Sequence, residues 1–569
     1  MTEGTGMHCL LIFPEFTAGA FWNYRATCEL MGAKYPASPL GLITVAALLP
    51  KSWECRLVDC NVQELSDADI DWADIVFTGG MIVQQHSSLA LIERLKASGK
   101  TVVAGGPDAT SSPHLYDLAD FLVLGEAEVT LPRWLADLEA GCAAHIYECG
   151  EERADMSRSP VPRFDLLQFD KYLHISIQYG RGCPFHCEFC DIVKLFGQVP
   201  RLKSNEQILR EIDLLYASGH RGHVDFVDDN FIGNKREVKK LLPVLRDWLE
   251  AHDWPFEFST EASINVADDE QLLQLMQDVG FFVLFVGVES PSMETLVATQ
   301  KRQNTRRSIA ESIRKIHSYG MAVNSGYIIG FDAERGSVAQ SMLALIEASA
   351  TPVNMVGLLA ALPGTQLTRR LAREGRLHED FAVPPEDAAD QCSGGLNFVT
   401  KRPRVEILED YRRVIAGAYA PHAYFNRVYQ MGAALNCRKK KLRLPWRERL
   451  RELRGFGRLI WRMGVKKDYR IEFWRTLARL ALRNPRALRH GVSWMALYLH
   501  FGEFMKVVLT RLDKDIELAK ASHRPHEVRA TKREPVAALG AAPIGILRYP
   551  DPRAPVLRSR LGPTDSAGA

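Results

Sequence analysis

The stretch YLHISIQYG (172–180) runs directly into RGCPFHCEFC (181–190). The first part is a short β-branched and aromatic run, which predicts a strand. The second sets Cys183, Cys187 and Cys190 as C-x3-C-x2-C on the loop that follows. Thiolates are soft ligands suited to zinc, copper(I) and iron–sulfur clusters. Three of them hold three irons of a 4Fe–4S cube and leave the fourth iron open to a small molecule. A closed electron-transfer cluster usually takes four cysteines. Two plainer readings compete: a zinc loop with His186 or a distant residue as fourth ligand, and three buried free cysteines.

Working outward, five more strand patterns follow: HVDFVDDN (223–230), PFEFSTEAS (255–263), FVLFVGVES (282–290), AVNSGYIIGFD (322–332) and NMVGLLAALPG (354–364). Helix patterns such as NEQILREIDLLYASG (205–219) and DEQLLQLMQDVG (269–280) separate them. Six βα units predict a (β/α)6 partial TIM barrel over 170–395, with its site at the strand C-terminal ends. A zinc loop rarely opens such an array, whereas an open-site cluster needs a cavity to work on.

Residues 1–150 also alternate strand and helix: HCLLIFP (8–14), CRLVDCN (55–61), ADIVFTGG (73–80), TVVAGGP (101–107) and ADFLVLGEAE (119–128) read as five strands of a parallel, Rossmann-like sheet. Its glycines fall at strand ends, where such sheets bind ligands. The polar, proline-containing 151–169 reads as a linker. Residues 396–522 read as Arg- and Leu-rich helices, and 523–569 as a disordered tail. The fold class is therefore α/β, with a helical, basic C-terminal region.

The chain has 569 residues and a net charge of +2, but 438–489 holds 19 Lys and Arg against 4 Asp and Glu. That local balance of +15 leaves the remainder at −13, an asymmetry that points to a surface partner for the segment. Tryptophans interleave with the charges, so the segment reads either as a solvated basic face packed by helical Leu and Trp or as a peripheral membrane contact through 438–512, with nucleic acid disfavoured. An odd count of 11 cysteines and no export signal imply a reducing cytoplasm, peripheral to the inner membrane surface if that contact forms. No apolar run is long enough to span a bilayer.

The cysteine loop, with Phe189 before its last cysteine, resembles the signature of the radical SAM superfamily, and the resemblance covers about 170–395. It implies that Cys183, Cys187 and Cys190 bind a 4Fe–4S cluster whose open iron chelates S-adenosylmethionine, which is cleaved to a 5′-deoxyadenosyl radical. By position it also implies contacts to that molecule from Asp228, Asp229, Glu261, Ser263, Glu289 and Gly326.

A sheet ahead of such a barrel is similar to the cobalamin-binding class of these enzymes. That resemblance places cobalamin against Gly41, Asp59, Asn61, Gly79, Gly80, Gly105, Gly106, Gly125 and Glu126. The D-x-H-x-x-G pattern that ligates cobalt from below is absent: residues 59–64 read DCNVQE, with no histidine. The stretches FCDI (189–192), RLKS (201–204) and FVDDNFIGN (226–234) look similar to the subgroup that includes the hopanoid C-2 methylases, while EFTAGAFW (15–22) does not. The implied activity is methylation of an unactivated carbon of a small-molecule or lipid-like substrate, fed by a low-potential electron donor. A cyclase or oxidase without methyl transfer and a non-enzymatic iron–sulfur or cobalamin sensor are the alternatives. A methylthiotransferase is disfavoured, because no second cysteine triplet occurs near the N-terminus.

Overall fold

A computed structural model describes residues 6–16, 20–380, 392, 394–437 and 442–521. The segment read as a tail, 523–569, lies outside the described residues. Strands β1 (His8–Phe13), β2 (Tyr35–Ala37), β3 (Glu54–Asp59), β4 (Ile75–Gly79), β5 (Thr101–Gly105), β6 (Phe121–Val123) and β7 (Ile146–Tyr147) come first. All but β2 form one parallel sheet in the order β3-β1-β4-β5-β6-β7. The order reverses between β1 and β4, which opens a crevice at their C-terminal ends. The sixth strand, β7, is one more than periodicity predicts: two residues carry no alternation to read.

Next come β8 (Tyr172–Ile177), β9 (Gly180–Arg181), β10 (Arg201–Leu202), β11 (Gly222–Phe226), β12 (Phe256–Glu261), β13 (Phe281–Glu289), β14 (Ala322–Ile329) and β15 (Asn354–Leu358). The six expected strands form a parallel sheet, β15-β14-β13-β12-β11-β8, and β2 adds a seventh at the β8 edge, pairing Tyr35 with Tyr172 and Ala37 with His174. The period of two sorts the side chains. Phe226 and Phe258 are buried in an aromatic cluster with Phe231 and Phe281. On the other face His223 lies 4.7 Å from His174 and bonds Ser259, which in turn donates to Asp225.

The C-terminal helices are Arg404–Ala418, Pro421–Ala434, Trp446–Leu459 with a π-helical extension Ile460–Lys466, Arg470–Arg483 and the 34-residue Leu488–Ala521. The last one packs on the barrel. Arg489 pairs with Glu257 at 2.7 Å, His490 stacks on Phe282, and Trp494 Nε1 donates to Asn324 Oδ1 at 3.2 Å. The N-terminal residues Phe21 and Tyr24 join it against Phe501. One continuous buried core therefore runs through the barrel and these helices, while two smaller cores flank the N-terminal sheet. Among the described residues no helix is long and apolar enough to cross a membrane.

Candidate active site

The cysteine loop leaves the barrel at the C-terminal end of β8. Antiparallel pairing of β9 with β10 clasps its two ends. Gly182 opens the loop at φ +94°, and a Cβ there would lie 2.9 Å from the Gly197 carbonyl, so only glycine fits. The turn is closed by the Cys183 amide, which donates to that same carbonyl at 3.2 Å. At the far side Glu188 pairs with Arg370, and Arg370 with Asp332. Cys187 is buried, and Cys183 and Cys190 are half-buried.

Two polar side chains from elsewhere in the barrel reach the sulfurs. Asn230, after β11, donates to Cys183 Sγ at 3.8 Å, and Gln303 donates to Cys187 Sγ at 3.6 Å. Burial pushes the Cys183 and Cys190 thiols up, and the Lys301 ammonium pulls both partly back. Lys301 is held by Glu289 at 2.6 Å, with both side chains nearly enclosed. Glu289 ends β13 at φ +67°, a left-handed conformation rare for a side chain of this size. A register shift between Gly287 and Glu289 turns it inward, and Asn304 holds the Gly287 and Val288 carbonyls. Lys301, Gln303 and Asn304 are not legible as site residues in the sequence: a polar run after a helix reads as solvated loop.

The carboxylates expected around the site divide. Asp228 accepts from the Tyr179 and Gly180 amides at 2.9 and 2.6 Å, and Asp229 from Gly182 at 3.1 Å. Both therefore brace the backbone of the cysteine loop. Ser263 donates through its amide and hydroxyl to Asn230 Oδ1, so it supports the residue facing Cys183. Glu261 opens into the barrel interior although protein surrounds it. Burial, then repulsion from Asp229, Asp225 and Asp228, raises it to about 8. Gly326 faces Phe285, whose ring a Cβ would meet at 3.0 Å.

Burial also raises Asp228 from 3.8 to about 8, against the pull of its two amide donors. The folded chain thus holds this proton more tightly than the unfolded chain. The stabilisation is complete below pH 3.8 and is lost as pH rises through 8. In iron-free protein, Asp228→Asn is expected to flatten that decline by up to about 1.4 kcal/mol per pH unit. Urea midpoints at several pH values across that window measure it. Equal slopes in the two proteins would place Asp228 in its ionised form throughout.

The residues expected to face a corrin ring also divide. Asp59 and Asn61 are occupied: Asn61 donates to Asp59 and to the Pro14 carbonyl, and Tyr172 of β8 donates to Asp59 at 2.9 Å. Glu126 is enclosed between Arg181 and Arg201. Asp59 and Glu126 join the N-terminal sheet to the barrel, a tertiary role that no local pattern announces, while Asn61 braces Asp59 and the end of β1. Gly79, Gly80, Gly105 and Gly106 do come together at adjacent strand ends. A Cβ on Gly79 would lie 2.9 Å from the Gly105 carbonyl, and one on Gly106 3.2 Å from the Gly80 amide. Gly41 has open space above it. Gly125, in contact with Cys149, lines a cavity of about 490 Å³ shared with Cys187 and Cys190.

The residues present fit both groups. Three thiols on one loop, under a buried cation, suit a polynuclear cluster. At the sheet crevice the Thr78 hydroxyl is buried without a partner, beside the small-residue strand ends. A ligand with amide groups would satisfy it.

Residues 177–341 match the Radical SAM superfamily, and residues 365–514 match a domain of unknown function, DUF4070. An uncharacterized methyltransferase of Synechocystis sp. is 41% identical over 541 residues, 93% of this chain and 98% of that protein. The hopanoid C-2 methylase of Rhodopseudomonas palustris is 34% identical over 488 residues, 84% and 90% of the two chains. In fold, the cobalamin-dependent S-adenosylmethionine radical enzyme OxsB superposes with a TM-score of 0.56 at 16% identity, covering 91% of this chain and 84% of that one. The cysteine loop, the barrel that carries it and two relatives matched over nearly their whole length make this chain a member of the radical SAM superfamily, in the methyltransferase family that includes the hopanoid C-2 methylase.

Proposed function

We propose that this chain is a cobalamin-dependent radical S-adenosylmethionine methyltransferase acting on an unactivated carbon of an apolar, lipid-like molecule. The observation that carries the reading is the cysteine loop at the first strand end, pinned by Arg181 to the C-terminal edge of a Rossmann-like sheet. On this reading the Arg181 ion pairs would hold the cluster loop in register with the corrin crevice. Cys183, Cys187 and Cys190 would hold the cluster, with Glu261, Glu289 and Gly326 lining the S-adenosylmethionine side. Thr78 and the paired glycines would meet the corrin. Residues 59–64 would offer the corrinoid no imidazole, because that stretch has no histidine and Asp59 and Asn61 are bonded elsewhere. Bound there, the cluster with S-adenosylmethionine supplies hydrogen-abstracting radical chemistry, and the corrinoid supplies a methyl group.

The protein's own residues supply the positioning. Asp228 and Asp229 fix the loop backbone, and Lys301 brings positive charge to the sulfurs. Trp22 packs edge-on against Phe285 at 5.6 Å, on the interior side of β13 where Gly326 leaves room. That aromatic wall suits a flat apolar substrate and gives it few polar handles, and the similar relative from Rhodopseudomonas palustris is named as a hopanoid C-2 methylase. A low-potential one-electron donor completes the set, in a reducing cytoplasm.

The test is anaerobic reconstitution with iron, sulfide, cobalamin, S-adenosylmethionine and reductant. The wild type is expected to form 5′-deoxyadenosine, to retain corrinoid through desalting and to add about 14 Da to a substrate drawn from isoprenoid lipids. The Cys183→Ala/Cys187→Ala/Cys190→Ala variant is expected to lose the iron–sulfur absorbance and the deoxyadenosine together. Deoxyadenosine with a product lacking the methyl mass would mark a cyclase or oxidase instead. Cofactor binding without cleavage would mark a sensor.

A further inference from the structure

The helices 446–466 and 470–483 lie in the region of unknown function and take no part in the site. Their inner face is fixed. Gly455 packs on Met31 and the Leu30 carbonyl, Arg458 donates to the Leu30 carbonyl, and Arg462 pairs with Glu29. Their outer face is apolar where a soluble surface would be polar. Trp446 is 69% exposed, Leu453 66%, Trp461 56%, Ile471 60% and Leu482 87%. The spacing places them as stripes: 446, 453, 461 and 465 along one helix, and 471, 474, 478 and 482 along the next. Trp474 joins the stripes by packing over Gly464 and donating to its carbonyl at 3.0 Å.

The stripes are bordered by cations. Arg447, Arg454, Lys466, Arg475, Arg479 and Arg483 have no ion-pair partner among the described residues, whereas the inward-facing Arg462 and Arg489 do. Arg447 and Lys466 instead lie over the Trp446 and Trp461 rings, at 5.5 and 5.3 Å. Exposed tryptophan and leucine ringed by unpaired arginine is the composition of a surface that enters the headgroup layer of an anionic bilayer.

We propose that this face seats the protein on anionic lipid, independently of which cofactors the barrel holds. The occupant is a lipid surface rather than a peptide or duplex, because charge complementarity alone would leave the exposed tryptophans and leucines in water. A bilayer takes up both.

Flotation with vesicles of equal parts phosphatidylcholine and phosphatidylglycerol, against phosphatidylcholine alone, tests it on the full-length holoenzyme. Wild type is expected to float with the anionic vesicles, at least about tenfold more than with neutral ones, and to lose most of this in about 0.5 M NaCl. Trp446→Ser/Trp461→Ser/Leu482→Ser and, separately, Arg475→Glu/Arg479→Glu/Arg483→Glu are each expected to lower flotation about tenfold. Both should keep the wild-type circular dichroism and deoxyadenosine formation, since none of these side chains reaches the site. Absence of flotation, or flotation unaffected by either variant, would overturn the proposal. So would a wild-type dimer that the Trp/Leu variant turns into a monomer, or duplex DNA that competes for the same residues.

Discussion

Replacing Arg181 with Leu is expected to destabilise the protein by roughly 3–5 kcal/mol and to empty it of iron, because it leaves buried carboxylates without their cation. Arg181 donates to Glu126 Oε2 at 3.0 Å and to both oxygens of Glu128 at 2.9 and 2.8 Å. The three side chains are almost fully enclosed, at 12%, 0% and 8% exposure. Burial alone would raise the Glu128 carboxyl, but the Arg181 guanidinium holds it below its ordinary range. Without Arg181, Glu126 keeps Arg201, whereas Glu128 keeps the Ser159 hydroxyl and its own backbone amide but loses its cation. The consequence extends past stability. Arg181 sits two residues before Cys183, so its loss frees the cysteine loop from the segment that follows β6. Urea denaturation and iron content per chain measure the two effects. Adding Glu128→Leu is expected to restore part of the stability by removing the stranded charge. A cost below about 1 kcal/mol with full iron loading would place the network among surface ion pairs of little weight.

Lys301→Met is the second large effect. It strands Glu289 in a site only 9% exposed, on a backbone already strained at φ +67°. A loss of roughly 3–5 kcal/mol is expected, with Glu289→Gln in the same chain recovering a substantial part. The change also removes the cation that acts on all three cysteines. Metal binding deprotonates thiols, so the variant is expected to need a higher pH to assemble its iron–sulfur absorbance than wild type. Titrating that absorbance against pH separates this from simple unfolding: Glu289→Gln should rescue stability without restoring the wild-type assembly pH. Coincident assembly curves would assign Lys301 a packing role alone.

The fold was largely legible because its signals are local. Six strands of β-branched and aromatic residues separated by amphipathic helices leave a period that any βα array must carry, and the spacing of Cys183, Cys187 and Cys190 lies within one loop. The site around that loop was only half legible. Asp228, Asp229, Ser263 and Glu289 stand at strand ends as their positions predict. A strand end, however, does not say which way its side chain bonds, and Asp228 and Asp229 turn towards the loop backbone. Asp59, Asn61 and Glu126 read as ligands to a ring because they stand at the correct edge of the sheet. The partners of Asp59 and Glu126, namely Tyr172, Arg181 and Arg201, lie 55 to 113 residues further along the chain, and Asn61 turns back onto Asp59 and Pro14.

The sequence alone thus determined the thiol donor set, the barrel and the sheet ahead of it, since each is written in spacing and periodicity within a few dozen residues. Tertiary structure alone decided that Tyr35–Ala37 would leave its own sheet to extend the barrel and that Lys301, paired with Glu289, would lie near enough to act on the cysteine thiols through its charge. It also decided that Trp446, Trp461 and Trp474 would face outward while Trp494 packs on the barrel. Those outcomes depend on which distant surfaces pack together. Burial and ion pairing act through space between residues whose separation along the chain carries no pattern.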